Sequence, residues 1–461
     1  MQDSYDLIVV GGGPAGYVSA IRAAQLGASV VLVERDRVGG TCLNRGCIPT
    51  KSYLRTAEIL RESGEWKTRG IVSQAPLGID MKAALACKDG AVKKLTGGVQ
   101  ALLKSNGVEV VTGTGILLHS GEVHVEGRGT LKAGAVVLAG GSVSTRLPIP
   151  GVDSRRVLLS EDILALDKVP ASLAVIGGGV IGVELAQIFS AFGAKVTIIE
   201  LEPRLLPGMD DSLSDGMRAT LEKRGISVLT GAGIAELEDR GGSLAVRLVD
   251  GKEISAEYAL LSVGRRPDLS CIGSSGVATE RGRVVVDEDL KTNVAGVYAP
   301  GDINGKKMLA HAAFAMGEAV AEAALGHTKR ADLRFVPSVV YGSPELASVG
   351  LTEAQARAES ASVSVGIFPF SANGRAIASG DTEGFVKVIV DTHLGELLGI
   401  HMLGSHVSEL INEATALMKL EATAHEVIEI IHAHPTLSEA LMEAVAAALG
   451  RCVHLPGKPK R

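Results

Sequence analysis

Aromatic residues make up only 3% of this chain of 461 residues, and no block rich in Lys and Arg is interleaved with them. With a formal net charge of -6, that argues against nucleic acid as a partner, because such a face needs clustered cations and stacking platforms. Uninterrupted hydrophobic runs are missing too. Every long apolar segment is broken by Glu, Arg or Lys, so no membrane span is expected. Cysteine is scarce: Cys42, Cys47, Cys87, Cys271 and Cys452 are five in all, odd in number and scattered, unlike the dense framework of a small secreted protein. A reducing cytosol fits that usage, and a disulfide there serves catalysis. The opening Met1-Gln2-Asp3-Ser4-Tyr5-Asp6 runs straight into an apolar strand without the basic and apolar regions of a signal peptide. A cytoplasmic location is expected.

The length exceeds what one ordinary core organises, and roughly three or four domains are expected. A repeat defines two of them. Leu7-Ile8-Val9-Val10 reads as a strand, followed by Gly11-Gly12-Gly13-Pro14-Ala15-Gly16, a helix from about 17 to 26, Gly27 as its stop, a strand over 29–33 and Glu34. The second copy has a strand over 173–176, Gly177-Gly178-Gly179-Val180-Ile181-Gly182, a helix to 192, Gly193, a strand over 195–199 and Glu200. Gly11 and Gly177, Gly13 and Gly179, Gly16 and Gly182, and Glu34 and Glu200 are each 166 positions apart.

The residue types follow from dinucleotide binding. The first Gly makes a tight strand-to-helix turn, the second lets backbone approach a pyrophosphate, and the third lets helix and strand pack closely. The helix N-terminus faces the phosphate charge. An acid closing the second strand accepts hydrogen bonds from a ribose diol. Two dinucleotides are therefore expected, and Glu200 favours NAD, since a carboxylate would repel the 2′-phosphate of NADP. Arg204, nearby, reads as a surface cation.

Just after the first unit stands Gly39-Gly40-Thr41-Cys42-Leu43-Asn44-Arg45-Gly46-Cys47-Ile48-Pro49-Thr50-Lys51. Cysteines at i and i+5 of a regular helix have Cα atoms about 8.6 Å apart, and a disulfide tolerates roughly 7 Å at most. A bridge between Cys42 and Cys47 thus requires a break in the helix, which Gly46 and Ile48-Pro49 permit. A strained or exposed bridge of this kind is easily reduced. Zinc is the competing reading of the spacing, but no second close cysteine or histidine pair accompanies it, and no metal is assigned. Cys87, Cys271 and Cys452 read as inert, partly buried thiols.

These motifs, together with Val263-Gly264-Arg265-Arg266-Pro267, Tyr298-Ala299-Pro300-Gly301-Asp302 and His432-Ala433-His434-Pro435-Thr436-Leu437-Ser438-Glu439, resemble the pyridine nucleotide-disulfide oxidoreductases over nearly the whole chain. Within them the likeness is to the branch that oxidises dihydrolipoamide. The resemblance implies an α/β fold with two Rossmann-like dinucleotide-binding domains and an α+β C-terminal dimerisation domain: 1–145 for FAD, 146–268 for NAD, 269–335 completing the FAD site, and 336–461 at the dimer interface. It assigns FAD to Gly11, Gly13, Gly16 and Glu34, with Gly40 and Thr41, and NAD to Gly177, Gly179, Gly182 and Glu200, with Gly264. Asp302 is expected on the flavin's ribityl chain, Met308-Leu309-Ala310-His311 beside the isoalloxazine, and Gly115 against the FAD backbone.

By the same resemblance Cys47 is the thiol nearest the flavin and Cys42 the one that exchanges with substrate. Lys51 pairs with Glu184 beside the flavin. His434 and Glu439 form an acid–base dyad, with Pro435 opening the helix that carries Glu439 and His432 a bystander. A homodimer follows, each subunit delivering His434 to its partner's disulfide, and 46% hydrophobic residues leave apolar surface for the interface. The lipoyl group would come on the lipoyl domain of a 2-oxo acid dehydrogenase complex or the lipoyl protein of glycine cleavage. The alternatives are another NAD(P)H-dependent disulfide reductase of this family or a redox-inactive FAD-binding subunit of a complex. Against the family pattern, Arg45 stands between the cysteines, either to stabilise a thiolate or to face solvent, and Gly140 and Ser144 stand where Thr and Pro are usual. The basic tail Lys458-Pro459-Lys460-Arg461 reads as a solvated end.

Overall fold

The computed structural model describes residues 4–360 and 362–456; the basic tail at 458–461 and the first three residues lie outside them. Strand Ser4–Val10 carries Leu7, Ile8, Val9 and Val10 fully inside, the continuous apolar run of a strand covered on both faces. It pairs in parallel with Val30–Glu34 on one side and Gly129–Leu138 on the other. Glu109–Thr112 extends the first edge, and the antiparallel strands Glu122–Val125 and Gly115–His119 extend the second. The seventh strand of this sheet, Val297–Tyr298, pairs with Gly129–Leu138 from far along the chain. Helix Ala310–Ala324 likewise returns to lie on helix Pro14–Gln25, where Ser19 Oγ donates to the Gly317 carbonyl at 2.9 Å.

The second unit repeats the plan. Its five strands run in the order Ser227–Leu229, Lys195–Ile199, Ser172–Ile176, Tyr258–Leu261 and Val157–Leu158, all parallel, with helix Val180–Ala191 crossing between the central pair. An antiparallel three-stranded sheet, Ile234–Asp239, Leu244–Leu248 and Glu253–Ala256, is inserted in sequence between Ser227–Leu229 and Tyr258–Leu261. The first fingerprint helix starts at Pro14 rather than near 17. Proline suits a first helical position, because its missing N–H would be unpaired there anyway.

The C-terminal unit is α+β. Its antiparallel sheet has the order Ser338–Val340, Glu345–Gly350, Leu397–Gly404, Phe385–Asp391 and Val363–Pro369. Helix Glu439–Ala448 packs on Val363–Pro369 so closely that a Cβ on Gly366 would stand 2.0 Å from the Ala444 carbonyl oxygen.

A buried ion cluster fastens this unit to the second one. Lys387 Nζ donates to Asp210 Oδ1 at 2.8 Å and to Glu353 Oε2 at 2.8 Å, with Lys387 and Asp210 both buried. Asp210 also accepts the Glu353 and Ser212 N–H groups, at 2.9 and 3.1 Å. Burial alone pushes the Asp210 carboxyl up, but these donors outweigh it and hold the carboxyl well below the usual range. The substitution Lys387→Met leaves that carboxylate buried without its cation, and a loss on the order of 3–5 kcal/mol is expected, read as a lower thermal unfolding midpoint. A depressed carboxyl stabilises the fold at every pH above its unfolded value. The deficit should therefore hold from neutral pH down to about 4 and shrink only below it.

Candidate active site

Two loops are built alike. Leaving Ser4–Val10, the chain turns through Gly11 at φ +100° into helix Pro14–Gln25; leaving Ser172–Ile176, it turns through Gly177 at φ +104° into Val180–Ala191. Side chains rarely adopt such angles, and a Cβ would stand 2.3 Å from the Ala139 oxygen at Gly11 and 2.5 Å from the Ser262 oxygen at Gly177. Gly13 and Gly179 cap the helices in nearly the same extended conformation, and Gly16 and Gly182 are buried one turn on. Neither helix has a side-chain cap or an acid in its first turn. The N–H groups at both N-termini are open to an anion such as a pyrophosphate.

The closing acids are already held. Glu34 Oε2 accepts the Gly12 N–H at 2.6 Å, and Glu200 Oε2 accepts the Gly178 N–H at 2.5 Å. The other oxygen of each accepts the amide two residues on, from Asp36 and from Glu202, at 2.8 Å. Arg204 is engaged by Asp215 and Asp211.

The cysteine segment breaks where the sequence allows. Helix Gly40–Arg45 ends at Gly46, whose φ of -136° and ψ of -103° are not helical, and helix Cys47–Ser63 starts immediately after. Cys42 therefore sits on one helix and Cys47 at the first position of the next, their unbridged thiols in hydrogen-bonding contact. The hydrogen bond from Cys42 and the Lys51 ammonium pull Cys47 down to about 7, against burial and the Glu184 carboxylate. The positive end of a helix adds to the same preference. Cys42 is pushed strongly up by that hydrogen bond, by burial and by the charge of Cys47. Both directions favour Cys47 over Cys42 as the place of the thiolate in the reduced pair. Arg45 has no part in this. It reaches away to Asp36 at 2.5 Å on the exposed side.

Lys51, one turn along the same helix, donates to both oxygens of the buried Glu184, at 3.0 and 2.9 Å. A third group completes the arrangement. The Tyr341 N–H donates to Glu184 Oε1 at 2.9 Å, and the Tyr341 ring lies 4.3 Å from Lys51 Nζ, within cation–π range. Nothing in the sequence singles out Tyr341, because its role depends on a fold contact between the second and C-terminal units. Asp302 stands on the short turn Gly301–Asn304 and accepts a hydrogen bond from Ser142 Oγ at 2.7 Å. Thr41 Oγ1 accepts from Arg265 at 3.3 Å. Gly115 opens the strand Gly115–His119, Gly264 takes φ +95°, and Met308, Leu309, Ala310 and His311 lead into helix Ala310–Ala324, with His311 Nε2 2.8 Å from the Pro337 carbonyl.

In the C-terminal unit, His434 Nδ1 lies 2.9 Å from Glu439 Oε1, while Glu439 Oε2 accepts the Thr436 N–H at 2.8 Å. Glu439 is thus fixed from two sides and holds the imidazole by one nitrogen. The His434 side chain is 77% exposed, so its Nε2 edge is free to meet a second molecule. Pro435 does not open the helix: it follows a cis peptide bond in a turn, and the helix begins at Glu439 itself. His432 is tied to Glu413 at 2.7 Å, away from the dyad. Of the remaining thiols, Cys271 is buried and pushed up to about 12 by that burial, and Cys452 is pushed up to about 11 by burial and its contact with Glu443. Cys87, expected to be partly buried, is exposed on helix Met81–Ser105. Among the described residues no cluster is placed to hold a metal ion, and no helix is long and apolar enough to cross a membrane.

Residues 5–317 match the pyridine nucleotide-disulphide oxidoreductase family, and residues 336–445 match its dimerisation domain. Dihydrolipoyl dehydrogenases of Rhizobium etli and Bacillus subtilis are each 40% identical, over 98% of this chain and 100% of their own length. The dihydrolipoyl dehydrogenase of Thermus scotoductus is 42% identical over 98% of this chain and 99% of its own. Among solved structures, the HOCl-induced flavoprotein disulfide reductase RclA from Escherichia coli aligns with a TM-score of 0.87 at 29% identity, covering 96% of this chain and 99% of that one. LpdA from Mycobacterium tuberculosis aligns at 0.88 and 27% identity, covering 95% and 98%.

In the reduced protein the Lys51 ammonium favours a Cys47 thiolate. The substitution Lys51→Met should therefore raise the pH at which the thiolate's ultraviolet absorbance appears, and an unchanged midpoint would contradict it.

Proposed function

This chain belongs to the pyridine nucleotide-disulphide oxidoreductase family, and from that membership we propose that it oxidises protein-bound dihydrolipoamide to lipoamide with NAD as acceptor. The observation that carries the reading is the Cys42/Cys47 pair brought together across the helix break, beside the Lys51–Glu184 pair, in a chain 40% identical to dihydrolipoyl dehydrogenases over their full length. FAD fits the first glycine loop and NAD the second, since both helix N-termini are uncapped and both carry a held acid where a ribose would lie. Thr41, Lys51, Gly40, Gly115, Asp302 and the 308–311 segment would hold the rest of FAD. Bound there, FAD would supply the two-electron chemistry that links oxidation of the Cys42–Cys47 dithiol to hydride formation on NAD.

The chain's own groups do the thiol chemistry. His434, its Nδ1 held by Glu439, takes the proton of one dihydrolipoyl thiol through Nε2. The resulting thiolate attacks Cys42 Sγ of the oxidised bridge, and the Cys42–Cys47 bond breaks. Cys47 leaves as a thiolate favoured by its helix N-terminus and by Lys51. The second substrate thiol then attacks the first substrate sulfur, closing lipoamide and displacing Cys42; its proton passes to Cys42, whose environment opposes charge, while His434 holds the first. One substrate dithiol is oxidised and one protein disulfide reduced.

His434 acts on the bridge of a second copy. Its exposure supports that reading, as do the exposed Ile431 at 97% and Leu420 at 80% and the match of 336–445 to a dimerisation domain. We therefore read the protein as a homodimer with composite sites, divided at 145, 268 and 335. The substrate is a swinging lipoyl arm on a lipoyl domain, of a 2-oxo acid dehydrogenase complex or of glycine cleavage, and the working place is the cytoplasm.

Purified protein should be yellow and should form NADH from NAD and dihydrolipoamide. The change Cys47→Ser should abolish this, and His434→Gln should lower kcat by roughly 10²–10⁴-fold. A protein that binds FAD but gives no turnover would sink the proposal, as would NAD-coupled oxidation surviving in Cys47→Ser.

A further inference from the structure

The strand Arg265–Pro267 pairs antiparallel with Ser142–Ser144, where the chain passes from the first unit to the second. The Arg265 guanidinium spans this junction. It donates from Nε to Ser142 Oγ at 2.8 Å, from Nη2 to the Ser142 carbonyl at 2.6 Å and to Thr41 Oγ1 at 3.3 Å, and from Nη1 to Ser144 Oγ at 3.2 Å. Ser142 Oγ in turn donates to Asp302 Oδ2 at 2.7 Å. One side chain therefore links the residue preceding Cys42, the domain junction and Asp302.

All four acceptors are neutral. Among the described residues no carboxylate comes within ion-pair distance of this guanidinium, although it is largely shielded from water and burial pushes its pKa down. The charges that it faces are Asp302, Glu161, Arg45 and Cys47. Ser144 Oγ also lies 3.4 Å from Glu161 Oε2. The unusual residues of the junction now have a reason. A Cβ on Gly140 would stand 2.6 Å from the Asp268 oxygen and 3.0 Å from Cys271 Sγ, so a hydroxyl cannot come from that position, and Ser142 and Ser144 supply the acceptors.

We propose that Arg265 is a positioning residue of the redox centre: its fork fixes Thr41, the residue before Cys42, and, through Ser142, Asp302. A planar guanidinium with several donors suits this task, as a single ammonium would not. The inference rests on the redox role proposed above for Cys42 and Cys47.

The test compares Arg265→Met, Arg265→Lys and Ser142→Ala in the FAD-loaded protein by two readouts, FAD release on dilution and equilibration of the bridge against dithiothreitol mixtures. Arg265→Met and Arg265→Lys, both without the fork, should release FAD about tenfold faster and shift the bridge equilibrium about tenfold, about 30 mV. Both readouts at parental values in Arg265→Met would overturn the proposal. If Arg265→Met does not fold, Ser142→Ala decides, since it cuts only the link to Asp302: faster FAD release with a parental bridge equilibrium is expected, and unchanged FAD release would overturn the link. Loss of dihydrolipoamide turnover in the parent would count against the proposed function, whereas the FAD-release comparison needs no turnover.

Discussion

The site depends on the interruption of one helix at Gly46. Had the segment from Gly40 continued helically through Cys47, the two sulfurs would face different directions too far apart to bond, and Cys47 would be an interior helical residue with no dipole to favour its charge. Breaking the helix does both jobs at once. It brings the sulfurs into contact and starts a new 17-residue helix at Cys47. The asymmetry between a charged Cys47 and a neutral Cys42 thus begins in the backbone, before any side chain contributes.

The side chains that tune this asymmetry come from every unit. Lys51 rides on the cysteine helix, but Glu184 belongs to the second fingerprint helix and Tyr341 to the edge of the C-terminal unit. The position of each depends on docking between units, and the Lys387–Asp210–Glu353 cluster fastens the second of them to the C-terminal one. The redox pair is local in sequence and its environment is not.

What the sequence made legible follows that division. Both glycine loops, the held acids, the Lys51–Glu184 pair and the His434–Glu439 dyad were readable because repeats and motifs specify them. The break between the cysteines was readable because a regular helix cannot satisfy the disulfide distance. Contacts such as Tyr341 on Lys51 or Arg265 on Thr41 join residues hundreds of positions apart with no pattern to mark them. Arg45 could not be oriented from its position alone, since its partner Asp36 lies in the preceding loop. Cys87 was misjudged because one thiol on an amphipathic helix carries little sign of which face it occupies, and Pro435 because a proline serves a turn as readily as a helix start.

The two acids at the ends of Val30–Glu34 and Lys195–Ile199 carry a further consequence. Each is clamped by two backbone amides, one from its own glycine loop and one from the residues that follow. An arriving ribose meets a carboxylate whose rotamer is already selected, so little side-chain freedom is lost on binding. The same clamp makes the acid hard to swing aside for a 2′-phosphate. A change of nicotinamide preference in this scaffold would have to rebuild the loop together with the acid, a double requirement that protects the choice of cofactor from single substitutions.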